Sequence, residues 1–349
     1  VDARDTSAFT RVFHALCARM TERHHERTQP MALPTNTFAT YEAIGNREDL
    51  SDVIYRIDPT DTPFVTSIER EKATNVNHEW QTQALAAAAQ NAQLEGDDPQ
   101  TNTTTPTVRL GNLCQISNKV ARVTGTQRAV LHAGRDDELA YQEMLKGLEL
   151  KRDMEYIVAG GVGPQAKNSG NDTTARNTAN VTSWIKTNTS KGTGGADPSA
   201  ADGTGARTDG TQRAFTEAML KTVLNSIWVN GGKPDTIMTG AFNKRVFSTF
   251  TGRATPIEQT TSKRIVAAVD AYESDFGRLS VVPNRFTRAR DVLILQTELW
   301  ALAFLNGRRM VSIPLAKTGD SDRRELLSEY ALVARNEKAS GGVFDLTTQ

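Results

Sequence analysis

Residues 269–286 read Val-Asp-Ala-Tyr-Glu-Ser-Asp-Phe-Gly-Arg-Leu-Ser-Val-Val-Pro-Asn-Arg-Phe. Two apolar stretches, Ile265 to Tyr272 and Leu279 to Val282, flank Ser274-Asp275-Phe276-Gly277, a four-residue hairpin turn with glycine at its end. Upstream, Met219, Leu220, Val223, Leu224, Ile227 and Trp228 recur at helical spacing until Gly231-Gly232 and Pro234 stop them, and the stripe is read as core. Thr236 to Thr239 follows as a short strand, then Phe242, Val246, Phe247 and Phe250 as a further helix. Downstream, Val292–Leu295, Leu299–Leu305, Met310–Pro314 and Glu329–Ala334 read as strands. This half is mixed α+β, without an internal repeat.

The N-terminal half is built differently. Phe9, Val12, Phe13, Leu16, Cys17 and Met20 predict an amphipathic helix within 1–30, with five arginines and four acids around it. It reads as a docking or assembly segment, with a processing remnant as the alternative. From Met31 to about Glu71 the chain is punctuated by Pro34, Pro59 and Pro63, with one helical pattern around Leu50, Val53, Ile54 and Ile57: an extended arm. Val76, His78 and Trp80, then Val108, Leu110, Cys114, Ile116 and Val120, alternate with period two and enclose the Ala-rich, then polar, stretch Ala84–Pro106. A long hairpin with a poorly buried tip is expected.

A long helix is predicted over 135–158, from Asp136, Asp137 and Glu138 through Tyr141, Met144, Leu145, Leu148 and Met154 to Gly160-Gly161. About 24 residues give a rod of roughly 36 Å, the expected backbone of the fold. Residues 160–212 are more than half Gly, Ser, Thr and Asn, with Trp184 the lone aromatic. A segment this poor in apolar side chains is expected to be a surface insertion or to be ordered by a neighbour, with Val181, Trp184 and Ile185 as its anchor.

Composition narrows the function. The 349 residues carry 41 Lys+Arg against 41 Asp+Glu, which argues against a protein devoted to neutralising nucleic-acid phosphates. No apolar run approaches the roughly 18 residues of a membrane span, and no secretory signal is evident, so a cytosolic origin is expected. Cys17 and Cys114 are far apart and outside any Cys/His cluster, which supports neither a disulfide framework nor a zinc site.

Searches for chemistry fail one by one. Gly-x-Ser-x-Gly is absent, and His78-Glu79 begins a zinc motif that stops at Thr82. Gly231-Gly232-Lys233 runs into Pro234, so it is a helix end and not a phosphate loop; Gly160-Gly161-Val162-Gly163 follows a helix where a dinucleotide loop follows a strand. His24-His25 are adjacent, whereas helical ligand pairs are four apart. Asp97-Asp98 and Asp320 with Asp322 lack the further oxygen donors of a calcium loop, and His132 has no partner at motif spacing. No enzyme activity, cofactor or metal is indicated. Arms, a long hairpin and a polar insert suit an assembly subunit.

The stretch at 269–277 together with Val281-Val282-Pro283-Asn284-Arg285-Phe286 resembles the axial-domain hairpin of a family of tailed-bacteriophage major capsid (coat) proteins. Leu299-Trp300-Ala301-Leu302-Ala303, Ala316 to Ser321 and Arg335-Asn336-Glu337-Lys338-Ala339 continue the resemblance in order, and Asp58-Pro59-Thr60-Asp61-Thr62-Pro63-Phe64 adds to it, so that it spans most of 31–346. The resemblance implies the Hong Kong-97-like (Johnson) capsid fold, an α+β fold. Its parts would be an N-terminal arm at 31–71 after the 1–30 extension, an extended loop at 72–125 and a peripheral domain at 126–215 with spine helix 135–158 and insert 160–212. An axial domain at 216–308 and a return to the peripheral sheet at 309–349 complete it.

It also implies a structural role in the virion. Hexamers and pentamers of the chain would close into an icosahedral head around double-stranded DNA contacted non-specifically, assembled in the bacterial host cytoplasm. A cement or decoration protein, a portal and a scaffold are the further partners it suggests, with no membrane. Two alternatives stand beside it: the shell of a cellular nanocompartment with the same fold, and a cytosolic enzyme whose site lacks a motif. Trp80, Leu85, Leu94, Trp184, Phe9 and Phe13 are the residues expected at contacts between subunits.

Overall fold

A computed structural model describes residues 58–96, 98, 104–250 and 271–349, all within the unit Asp52–Gln349. The expected 1–30 helix with Phe9, Phe13 and Cys17, most of the arm, Asp97 and the strand portion 265–270 lie outside the described residues. In chain order the elements are α1 (Pro63–Ser67), β1 (Glu69–Ala73), β2 (Asn77–Thr82), β3 (Val108–Leu113), β4 (Gln115–Thr124), α2 (Gly125–Ala129), α3 (Glu138–Val158), α4 (Val181–Trp184) and β5 (Thr189–Ser190). Then come α5 (Glu217–Val229), β6 (Thr236–Thr239), α6 (Ala241–Phe247), β7 (Ala271–Ser274), β8 (Gly277–Pro283), β9 (Val292–Leu295), β10 (Trp300–Leu305), β11 (Val311–Leu315), β12 (Ser321–Ala334) and β13 (Gly341–Val343).

One sheet is organised on β12. Its first ten residues pair with β4, from Ser321↔Thr124 to Tyr330↔Gln115. On its other edge it pairs with β11 and, through Tyr330–Ala334, with β10, to which β1 adds in parallel. The period-two alternation sorts side chains by size. Trp300, Leu302, Phe304, Tyr330 and Leu332 join Met154 and Val158 of α3 and Phe64 of α1 in one core cluster. Ala301, Ala303, Ala331 and Val333 point the other way, with Ala73 and Cys114. Small residues on that face let a second layer approach closely.

The second sheet has the order β5-β13-β9-β6-β8-β7. The expected hairpin is present, with a tighter turn: Ser274 pairs directly with Gly277, leaving Asp275-Phe276 as the two-residue loop. Leu220, Val223, Leu224 and Ile227 of α5 and Phe247 of α6 bury against Ile237, Leu279, Val281, Val292 and Ile294 of this sheet.

Helix α3 begins at Glu138, later than the expected 135, because the Asp137 side chain accepts the Leu139 N–H at 3.1 Å and caps it. Near its other end sits Glu155, fully buried. Its carboxylate accepts the N–H groups of Phe64 (2.8 Å) and Val65 (2.7 Å) and the side-chain amide of Asn284 (2.6 Å). Burial nonetheless raises the carboxyl above its ordinary value.

The 160–212 segment is not a bare surface insertion: its expected anchor, Val181, Trp184 and Ile185, is fully buried, and neighbouring parts of the chain order it. Residues 178–185 are buried, with Ala179, Val181, Trp184 and Ile185 in the main core cluster, and hydrogen bonds to buried polar groups hold the segment around them. Asp345 accepts the N–H of Gly192 (3.0 Å) and Gly210 (2.9 Å) and the Arg290 guanidinium (2.7 Å). A Cβ at Gly192 would stand 2.1 Å from the Thr211 carbonyl, so only glycine permits this approach. Arg207 lies 3.5 Å over the Phe344 ring and donates to Asp197 (2.8 Å) and to the Ile185 carbonyl (2.9 Å).

Candidate assembly surface

The β2–β3 hairpin is clamped at one end and bare at the other. Strand β2 pairs antiparallel with β3 from Asn77↔Leu113 to Thr82↔Val108. The long period-two run read as one strand is broken at Cys114, whose N–H bonds to the Val76 carbonyl at 2.8 Å; β3 therefore serves the hairpin while β4 joins β12. Trp80 and Leu110, directly opposite one another, turn inward against the core. The Trp80 indole N–H donates to the Ala334 carbonyl at 3.0 Å, and its ring lies 5.5 Å from that of Trp184.

Buried Asn112 completes the clamp. Its amide donates to the carbonyls of Leu332 (2.7 Å) and Ala179 (3.1 Å) and accepts the Ala179 N–H (2.9 Å), stitching the hairpin to β12 and to the 160–212 segment together. Lys167 donates to the Gly111 carbonyl at 2.6 Å. Below the hairpin, Glu71 meets His78 at 3.3 Å and also pairs with Arg335. Burial works against the Glu71 charge, but the bonds from Arg335 and His78 outweigh it and hold the carboxyl below its ordinary value.

Beyond Thr82 this support ends. The Gln83 amide donates to the Thr105 carbonyl at 3.0 Å and the Thr105 hydroxyl to the Ala84 carbonyl at 3.4 Å. Every described residue from Gln83 to Pro106 is exposed. Leu85 is 96% and Leu94 79% exposed, amid the Ala86–Ala89 run. The hairpin thus combines a base fixed by hydrogen bonds with a tip whose leucines stand in solvent.

The residues expected at contacts therefore part ways. Leu85 and Leu94 stand at the tip, whereas Trp80 is half-buried in the base, holding the tip in place. Trp184 is corrected: it is fully buried within the chain, in the same cluster as Trp300 and Tyr330, and presents nothing to a neighbour. The stripe read as core in α5 also needs correction at its last turn, where Trp228 is 59% exposed. Val130 and Leu131, in the link from α2 to α3, are exposed as well and escaped sequence reading, since two apolar residues in a short loop carry no period. Asp322, at the start of β12, is engaged by Arg128 (2.6 Å) and Lys317 (2.7 Å).

A family model described as SU10 major capsid protein matches residues 33–347. The chain belongs to that family. In this SU10 major capsid protein family member, similarity extends to the major capsid protein of Escherichia phage Phieco32, 28% identical over 352 residues, covering 90% of this chain and 98% of the relative. Among solved structures, the capsid asymmetric unit of cyanophage A-1(L) matches with a TM-score of 0.55 at 14% identity, over 89% of this chain and 99% of that one. The coat of Phage G, solved with decoration proteins, matches with a TM-score of 0.50 at 10% identity, over 91% and 100%. At these identities the shared property is the fold, a phage capsid fold of mixed helix and strand. A major capsid protein is a structural component of the virion. Among the described residues no helix is long and apolar enough to cross a membrane.

Proposed function

We propose that many copies of this chain form hexamers and pentamers that close into an icosahedral phage head around double-stranded DNA, built in the cytoplasm of the bacterial host. Closed shells arise from repeated heterologous contacts, and segments that gain burial only on a neighbour add contact area without enlarging the subunit core. The chain works by contact and not by catalysis.

In this reading 31–71 is the arm, 72–125 the extended loop and 126–215 the peripheral domain with α3 as its spine, while 216–308 is the axial domain and 309–349 the return to the peripheral sheet. The observation that carries the reading is the contrast within the β2–β3 hairpin between a base held by Trp80 and Asn112 and a tip with Leu85 and Leu94 in solvent. The tip covers its leucines on an adjacent subunit. A zero formal charge, 41 basic against 41 acidic residues, lets identical chains approach without net repulsion and holds DNA loosely. A decoration protein, a portal and a scaffold are the further partners we assign.

Replacing residues 86–104 with a short Gly/Ser link tests this. The subunit folds with unchanged circular dichroism, and electron microscopy finds no stable shells. Normal heads from the shortened chain would refute the role given to the loop.

A further inference from the structure

Helix α3 is apolar on two faces, and the described residues fill only one of them. Leu139, Leu150 and Met154 are buried, Leu139 against Ala121 and Val123 of β4. On another face Tyr141, Leu145, Leu148 and Arg152 follow one another at three- and four-residue spacing, with Met144 beside them. Met144 is 44% exposed, and Tyr141, Leu145 and Leu148 are half-buried. None of these four enters a buried cluster among the described residues. An apolar stripe of this spacing ordinarily lies against a second element.

Two contacts show which part of the chain runs along this stripe. Glu155, three residues beyond Arg152 on the same face, accepts the N–H groups of Phe64 and Val65 at the start of α1. One turn earlier on α3, Arg152 meets Asp58 at 3.8 Å and lies over the Phe286 ring at 5.8 Å. Traced back from Val65 to Asp58, the chain therefore moves along α3 from Glu155 toward the helix N-terminus, in the direction of Leu148 and Leu145. The six residues before Asp58, Asp52-Val53-Ile54-Tyr55-Arg56-Ile57, carry Val53, Ile54 and Ile57 at helical spacing, and they fall within the same unit as α3. At ~1.5 Å per helical residue, Leu148 lies about 6 Å and Leu145 about 10 Å back from Arg152, while residues 52–57 span about 9 Å as a helix and more if extended. The length matches the stripe, and both surfaces are apolar.

We propose that residues 52–57 lie along the Met144–Leu148 face of α3 in their own chain, with Val53, Ile54 and Ile57 covering Leu145 and Leu148. This lays the root of the arm on the long helix of the same subunit, a contact separate from the hairpin tip and independent of whether heads form. Val53→Cys, Ile54→Cys or Ile57→Cys, each combined with Leu145→Cys or Leu148→Cys in the full chain with Cys17→Ser and Cys114→Ala, tests it under mild oxidation at low protein concentration. At least one pair forms a disulfide within the chain in high yield, read by peptide mass spectrometry. The same cysteines combined with Lys146→Cys, at the same height on a different face of α3, do not. Hydroxyl-radical footprinting gives a second readout: Leu145 and Leu148 are labelled several-fold less in the wild type than in Ile54→Asp/Ile57→Asp, while Leu131, 98% exposed, is labelled alike in both. If the aspartate variant misfolds, the cysteine pairs decide alone. Equal labelling of Leu145 and Leu148 in the two folded proteins would overturn the contact, as would no disulfide from any pair or an equal yield with Lys146→Cys. Disulfides that form only between chains, when Val53→Cys and Leu148→Cys subunits are mixed, would overturn it in favour of a neighbouring copy.

Discussion

Trp80→Ala is the most direct probe of how the hairpin is held. The side chain makes one hydrogen bond, to the Ala334 carbonyl at 3.0 Å, stacks 5.5 Å from Trp184, and packs against both core clusters of the first sheet. Half-burial of an indole corresponds to roughly 80 Å² of apolar area, about 2 kcal/mol at ~25 cal/mol per Å². The lost hydrogen bond adds about 1 kcal/mol. Local opening of the hairpin should therefore become easier by about 3 kcal/mol, roughly a hundredfold. Hydrogen exchange measures this amide by amide. Protection in β2 and β3 falls by about that factor, while β6 and β9 in the second sheet keep theirs. Trp80→Phe, which retains the ring and loses the hydrogen bond, gives about 1 kcal/mol or roughly fivefold. Equal loss of protection in both sheets, or no loss in the hairpin, would refute the view that Trp80 anchors this element separately.

Two further outcomes follow from buried titratable groups. Asp291 is 2% exposed; burial pushes its carboxyl up to about 7, against the pull of Arg288 and Arg207 and with Asp209 adding to the rise while Arg290 opposes it. The folded chain then keeps a proton that the unfolded chain releases near 3.8, so stability declines as pH rises between that value and about 7 and is level above. Asp291→Asn should flatten this slope in thermal midpoints recorded from pH 4.5 to 8; an unchanged slope would assign it elsewhere. The Cys114 thiol, fully buried, is pushed by burial up to about 11 and stays protonated at pH 8. Iodoacetamide should leave it unlabelled in the native subunit and label it completely in denaturant, read by peptide mass spectrometry, and fast native labelling would contradict its placement behind the hairpin.

Much of the fold was legible because it rests on local periodicity. The alternation of His78 and Trp80, the stripe from Leu220 to Ile227 and the run from Tyr141 to Met154 each form the element expected, although in the last of these, of Tyr141, Met144, Leu145, Leu148 and Met154, only Met154 is buried and Met144 is exposed. Where that signal is absent the reading stopped short. Glu69–Ala73 reads as a charged stretch, yet it is an edge strand because the parallel pairing of Glu69 with Ala301 needs backbone groups and not apolar side chains. The first half of β12 is polar and was missed for the same reason: backbone pairing with the adjacent β11 and with β4, some two hundred residues earlier in the chain, holds it without an apolar pattern.

Sequence by itself determined the α+β class, the capsid resemblance and a long hairpin with leucines near its tip, since side-chain period and turn residues act over a few positions. Tertiary structure alone decided which aromatics face inward. Trp184, in a segment that looked too polar to pack, is enclosed because Asp345, Arg207 and Asn112 satisfy backbone groups of that segment, whereas Trp228, at the shoulder of an apolar stripe, stays largely exposed with its ring on Phe276. Burial is a property of what comes to lie alongside a residue, and those neighbours are brought in from distant parts of the chain.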